Sequence, residues 1–168
     1  VGGLVGSSEG SVSDSFSNGS VTGSGNVAGL VGSNSGSVEY SFSNGSVTGS
    51  SDVGGLVGYH DGSVSSSYSA GSVSGDDDVG GLVGVNDGGS VSGSYWDTES
   101  SGQSSSDGSA TGLTTSEMQG SACMKGIAES SWNFFSGQYP DLDEFSSGGL
   151  TLDCSPFASF STGGPVPT

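Results

Sequence analysis

Apolar residues in this chain come in short bursts at a fixed interval. The phrase Gly2-Gly3-Leu4-Val5-Gly6 returns as Ala28-Gly29-Leu30-Val31-Gly32, Gly54-Gly55-Leu56-Val57-Gly58 and Gly80-Gly81-Leu82-Val83-Gly84. The starts differ by 28−2, 54−28 and 80−54, which is 26 each time. Val1, Val27, Val53 and Val79 precede the copies, and Val12, Val38 and Val64 follow them, then Phe16, Phe42 and Tyr68, then Val21, Val47 and Val73. No segment of the repeat has the three-four apolar spacing of an amphipathic helix, and glycine is too frequent for helix interiors. Valine and aromatic residues bounded by turn formers predict short strands. We expect three per repeat, around Leu4-Val5, from Val12 to Phe16 and around Val21, with turns at Gly10, Asn18-Gly19 and near Gly25.

One repeat has too few apolar side chains to offset the ordering of its own glycine-rich backbone. Repeats at such a period become stable by stacking. The expectation is therefore an all-β, right-handed parallel β-solenoid with 26-residue coils, each strand hydrogen-bonding to the coils above and below. Like then stacks on like. The exposed strand positions are expected to be serines (Ser11, Ser13, Ser15, Ser17 and their equivalents), whose hydroxyls pair in ladders without crowding.

The pattern changes in the fourth coil. Gly88-Gly89 adds a residue, and Val91, Tyr95 and Trp96 replace the usual ending. Solenoid repeats are thus expected over 1–96, in coils starting at 1, 27, 53 and 79. Residues 97–145 follow as a loop, Asp97 to Gly112, and a cap. Thr114 and Glu117 have capping-box spacing, which predicts a short helix through Met118. Trp132, Phe134, Phe135, Tyr139 and Leu142 gather most of the remaining aromatics, and residues 113–145 are expected to cover the open C-terminal edge of the stack. Residues 146–168 form a tail.

Charge narrows the partners. The chain has 18 acidic residues, one Lys (Lys125), no Arg and a net charge of −17. Phosphate-directed nucleic-acid binding needs a basic patch, and so does attraction to an anionic membrane surface. Neither partner is expected, nor is membrane insertion, for the sequence has no apolar run of spanning length. The acidity suits either solubility through self-repulsion or adaptation to high salt. Cys123 and Cys154 lie outside the repeats. We read them as a disulfide, hence an oxidising, extracellular setting, with two free buried thiols as the alternative. The chain enters directly at a repeat position without Met and has no signal-peptide pattern, as expected of a processed chain, a fragment or an incomplete sequence.

The repeat resembles the GLUG motif, with Gly3-Leu4-Val5-Gly6 and its copies as the Gly-Leu-x-Gly core. The run Ser94-Tyr95-Trp96-Asp97-Thr98-Glu99-Ser100-Ser101-Gly102-Gln103, with Gly112-Leu113-Thr114-Thr115, Met118, Trp132 and Tyr139-Pro140-Asp141-Leu142, is similar to the way such arrays close. The resemblance covers about residues 1–142. It implies secreted or cell-surface proteins of bacteria and archaea, including adhesins, and supplies no catalytic residues.

Candidate chemistry is sparse. His60 is the sole histidine, so an HExxH zinc site is absent, and a Ser-His triad would have His60 as its only candidate base. It follows Tyr59 and reads as a turn residue. No enzyme activity and no cofactor are expected. Acidic residues recur in two columns, Glu9, Asp61 and Asp87, and Asn26, Asp52 and Asp78, the latter thickened by Asp76 and Asp77. Asp52, Asp76, Asp77 and Asp78 are weak calcium candidates, set against a solvated acidic corner. Asn18-Gly19-Ser20 and Asn44-Gly45-Ser46 fit the N-glycosylation sequon, set against Asn-Gly as a turn. Thr22, Thr48 and Ser74 form a thin hydroxyl row of the kind ice-binding solenoids use.

Two functions remain. The first is an extracellular structural protein, a filament subunit assembling with itself head to tail through the exposed first coil at Val1 and Leu4 and through Phe157, Phe160 and Val166 of the tail. The second is an adhesin or stalk module that binds a glycan or another cell-surface protein through Tyr95, Trp96, Trp132 and Tyr139, residues that equally suit a cap core.

Overall fold

A computed structural model describes residues 1–121, 124, 132–134 and 137–142. They form a parallel β-solenoid of about four coils that follow one another at the 26-residue interval, lengthened by the extra residue at Gly88-Gly89 in the fourth. Val31 pairs with Val5 below and Val57 above, and Val57 pairs with Val83. Leu30, Leu56 and Leu82 stack fully buried in one interior column with Val31, Val57 and Val83. A second interior cluster holds Val21, Val27, Val47, Val53 and Val73.

The coil is divided more finely than the three expected strands. Coil two has five: Val27–Ala28, Val31–Asn34, Ser37–Glu39, Phe42–Ser43 and Val47–Thr48. The stretch from Val12 to Phe16 is split by a left-handed residue at Asp14, repeated at Tyr40, Ser66 and Gly93 with φ between 47° and 51°. A second left-handed corner falls at Asn26, Asp52 and Asp78. Asn and Asp tolerate that region better than other side chains, which accounts for the acidic column there.

The faces also differ from expectation. Ser17, Ser43 and Ser69 point inward, not outward, and pack on the second glycine of the apolar phrase. A Cβ on Gly55 would stand 2.2 Å from Ser69 Oγ and 2.2 Å from Gly81 O, so this column must be glycine. Ser41 and Ser67 are buried as well. The alternate position of the strand therefore turns the aromatic residues to the opposite face. There Phe16, Phe42 and Tyr68 form a stack with centroids 5.1 Å apart and rings within 8° of parallel.

The segment Asp97–Gly112, expected as a loop, closes the fourth coil. Asp97 accepts the Glu99 and Ser100 amides and so caps a helical turn, Thr98–Ser101, that ends at Gly102 with φ 70°. Ser105 O accepts from Gly81 N, and Ser106 Oγ and Asp107 satisfy Leu82, Val83 and Asn86. Strand Thr111–Leu113 then pairs in parallel with Tyr95–Asp97. The capping box forms as expected: Glu117 Oε2 accepts from Thr114 N at 2.8 Å, and Glu117 N donates to Thr114 Oγ1. The turn it opens widens to a π-helix over Glu117–Ser121. The cap strands Trp132–Asn133 and Asp141–Leu142 do not sit on the end of the stack. Met118, Met124, Trp132 and Leu142 lie along its side, over Phe42, Tyr68 and Tyr95. The aromatic ladder is an apolar face outside the coil, and it draws the cap to itself.

Candidate functional site

The cap is fixed to the ladder by directed bonds. Tyr68 Oη donates to Pro140 O at 2.6 Å, and Trp132 Nε1 donates to Ser66 O at 3.2 Å. Burial pushes the Tyr68 phenol far above its ordinary range, and a hydrogen bond from the Asn44 side chain only partly opposes this. Tyr139 Oη donates to Asp97 Oδ2 at 2.6 Å. Desolvation alone would raise the Asp97 carboxyl, but its bonds from Tyr139, Ser100, Thr115 and Glu99 together outweigh that and hold it below the usual carboxylate range.

Where this cap meets the first two coils, a cleft of about 350 Å³ stays open. Its floor is the ladder, and its rims carry Asn18 and Asn44 on one side and Gln138, Tyr139 and Asp141 on the other. Asn18 and Asn44, the sequon residues, are both exposed at the same corner of successive coils. Of the four aromatics expected to bind a glycan, Tyr95, Trp96 and Trp132 are buried, and Tyr139 is half-buried. Trp96 fills the interior beneath Gly81 and donates from Nε1 to Gln103 O. The first three rings are core, and the cleft lies beside them with Tyr139 in its wall. Its polar rim joins residues 18 and 138 across most of the chain, which no local motif could signal.

His60 is not a turn residue. It sits fully buried in strand Val57–His60, in register with Asn34 and Asn86. Its Nδ1 lies 3.2 Å from Asn34 Nδ2 and its Nε2 3.2 Å from Ser90 O. The Ser90 carbonyl can only accept and the Asn34 amide nitrogen can only donate, so Nε2 carries the proton and Nδ1 accepts. The longer turn at Gly88-Gly89 makes room for the ring, since a Cβ on Gly89 would stand 2.6 Å from His60 Nε2.

The remaining candidates are dispersed. Asp87 of the first acidic column accepts from Tyr59 Oη at 2.7 Å. Asp52 and Asp78 occupy left-handed corners, with Asp76 and Asp77 exposed beside them. Among the described residues no group of three or more His, Cys, Asp or Glu side chains is placed to hold a metal ion, and no helix is long and apolar enough to cross a membrane. Thr22, Thr48 and Ser74 form one exposed row. Cys123, Cys154, Phe157, Phe160 and Val166 lie outside the described residues.

The two ends of the stack are unlike. In the first coil, strands Val5–Ser8, Ser11–Ser13, Phe16–Ser17 and Val21–Thr22 each pair on one side only. The large apolar side chains that stand exposed among the described residues, Val1 (55%), Leu4 (51%) and Phe16 (42%), are all on this coil. In the fourth coil the strands Val79–Gly80, Val83–Asn86 and Ser90–Ser92 also pair on one side only, but Ser105, Ser106 and Asp107 bond over Gly81 to Asn86 and no large apolar side chain described there is exposed. No family model, no curated protein and no solved structure matches the chain.

Proposed function

We propose that this chain is a non-enzymatic extracellular structural protein whose first coil docks a second copy of itself, building a filament. The observation that carries the reading is the asymmetry of the two ends. Leu4 continues the column of Leu30, Leu56 and Leu82, yet about half its surface is exposed, since no described residue packs on the outer side of its coil. Unpaired strand edges and apolar side chains on one face are a template for strand addition. At the opposite end Ser105, Ser106 and Asp107 bond over Gly81 to Asn86, so a bare coil-on-coil contact between copies is blocked along that part of the edge. The donor is instead a segment of the second copy beyond the cap, where Phe157, Phe160 and Val166 are the apolar candidates in sequence. The Gly-Leu-x-Gly repeat, similar to GLUG arrays, and the acidic, serine-rich surface support a secreted or cell-surface setting.

Sedimentation velocity and negative-stain electron microscopy of the full chain test this, with Leu4→Asp as the variant. The wild type should form oligomers or fibres that grow with concentration, and Leu4→Asp should stay small with an unchanged circular dichroism spectrum. A wild type that remains monomeric at every concentration, or a variant that polymerises as well as the wild type, overturns it.

A further inference from the structure

We infer that the cleft between the aromatic ladder and the cap is a binding site for a neutral, extended oligosaccharide. The cleft of about 350 Å³ falls within the range of about 300–1,000 Å³ usual for small-ligand sites. Its polar rim is made of Asn18, Asn44, Gln138 and Asp141, with Phe16 and Tyr139 contributing ring surface. Carboxamides offer a donor and an acceptor on one planar group, and a carboxylate accepts twice, so this set suits neighbouring hydroxyls that donate and accept in turn. Ring edges and faces between them suit the C–H faces of a sugar, which are apolar. A peptide ligand would seek an unpaired strand edge, and this rim is built from side chains at a corner.

Charge selects among sugars. Asp141 lies in the rim, the only lysine of the chain is Lys125, and the net charge is −17. Uronates, sialic acids and phosphates would meet Asp141 and a strongly negative chain, with no cation among the described residues of the rim. The repeat then sets the length of the ligand. Asn18 and Asn44 follow the paired strands Phe16–Ser17 and Phe42–Ser43, so they recur one coil apart, about 4.8 Å. That advance is of the order of one sugar residue in an extended chain, which lets successive residues meet equivalent amides. Tyr68 donates to Pro140 O, so the floor beneath Asn44 is tied to the cap wall and this part of the cleft is preorganised.

Isothermal titration of the full chain with cellohexaose, mannohexaose, chitohexaose and hexagalacturonate tests the site. The readout does not depend on the state of assembly, which is measured separately, so loss of the filament reading would leave this one standing. At least one neutral hexamer should bind at about 5 mM or below, where a millimolar constant still registers. Asn18→Ala combined with Gln138→Ala removes two exposed amides and should weaken that binding by about tenfold, as two lost hydrogen bonds would. The thermal melt of the double variant should match the wild type. No binding by any neutral hexamer, equal binding by the double variant, or a preference for hexagalacturonate overturns the inference.

Discussion

Two serines in one coil, two residues apart and equally buried, should respond to the same substitution with opposite signs. Ser67 is fully engaged. Its Oγ donates to Ser65 O at 2.7 Å and accepts the Ser41 amide of the coil below at 3.1 Å. Ser69 Oγ has no hydrogen-bond partner, and neither has Ser43 Oγ below it. The reason is space: the hydroxyl lies where a Cβ on Gly55 would fall, too tight for a water. A buried hydroxyl without a partner costs about 1–3 kcal/mol, so Ser69→Ala removes a penalty and leaves a void no larger than one oxygen. We expect a gain of about 1 kcal/mol, or about 2–4 °C in Tm for a chain of this size. Ser67→Ala does the reverse. It strands the Ser41 N–H and should cost about 1–3 kcal/mol. Guanidinium unfolding of the full chain, followed by far-ultraviolet circular dichroism, separates the two, with midpoints compared between curves of equal slope. Equal destabilisation by both changes would refute the reasoning, for it would mean that burial alone and not partnering sets the cost.

The glycine corners provide a second matched pair. A Cβ on Gly19 meets nothing within 4 Å, whereas one on Gly45 would stand 2.0 Å from Gly19 O. Gly19→Ala should therefore change the melting temperature little, and Gly45→Ala should lower it severely. Asp97 makes stability pH-dependent. Its carboxyl is held below the unfolded value, so its contribution is present above the ordinary carboxylate range and is lost as pH falls through the lowered folded value. Tryptophan fluorescence of the cap during acid titration should show a transition that Asp97→Asn largely abolishes at the cost of lower stability at neutral pH. His60→Asn should extend the Asn34–Asn86 column and keep most of the stability, while His60→Leu leaves the Asn34 amide and Ser90 carbonyl short of a partner and should cost about 1–3 kcal/mol on the same unfolding curves.

The stack itself was legible because one constraint writes it repeatedly. Leu30, Leu56 and Leu82 must coincide in space, so they coincide in sequence at a fixed interval. The inner division of the coil was not legible. Tyr40 and Ser66 adopt left-handed backbone at a corner that Asp14 and Gly93 would signal, and neither residue type announces it. The direction of the serines was hidden for a related reason. Polarity suggests that Ser17, Ser43 and Ser69 face water, but the interior column opposite them is glycine, and only a small side chain fits. The Asp97 cap was masked by the serines around it. The cleft was beyond reach because Asn18 and Gln138 line one cavity only once the cap folds along the side of the ladder.

The position of the cap follows from that ladder, and the cleft follows from the cap. A strand that sends Ser43 and Ser69 inward must send Phe42 and Tyr68 outward. A row of bare rings on a protein surface would be an association site. Trp132, Met118, Met124 and Leu142 cover the upper rings, and Phe42 and Tyr68 are buried by it. Coverage thins toward the first coil, where Phe16 remains 42% exposed. The same register that closes the core thus leaves an aromatic floor at one end, walled by Asn18 and Asn44 on the coil side and by Gln138 and Asp141 on the cap side. The cleft follows from one arrangement, a repeat whose aromatic column reaches coil one with Phe16 still partly exposed.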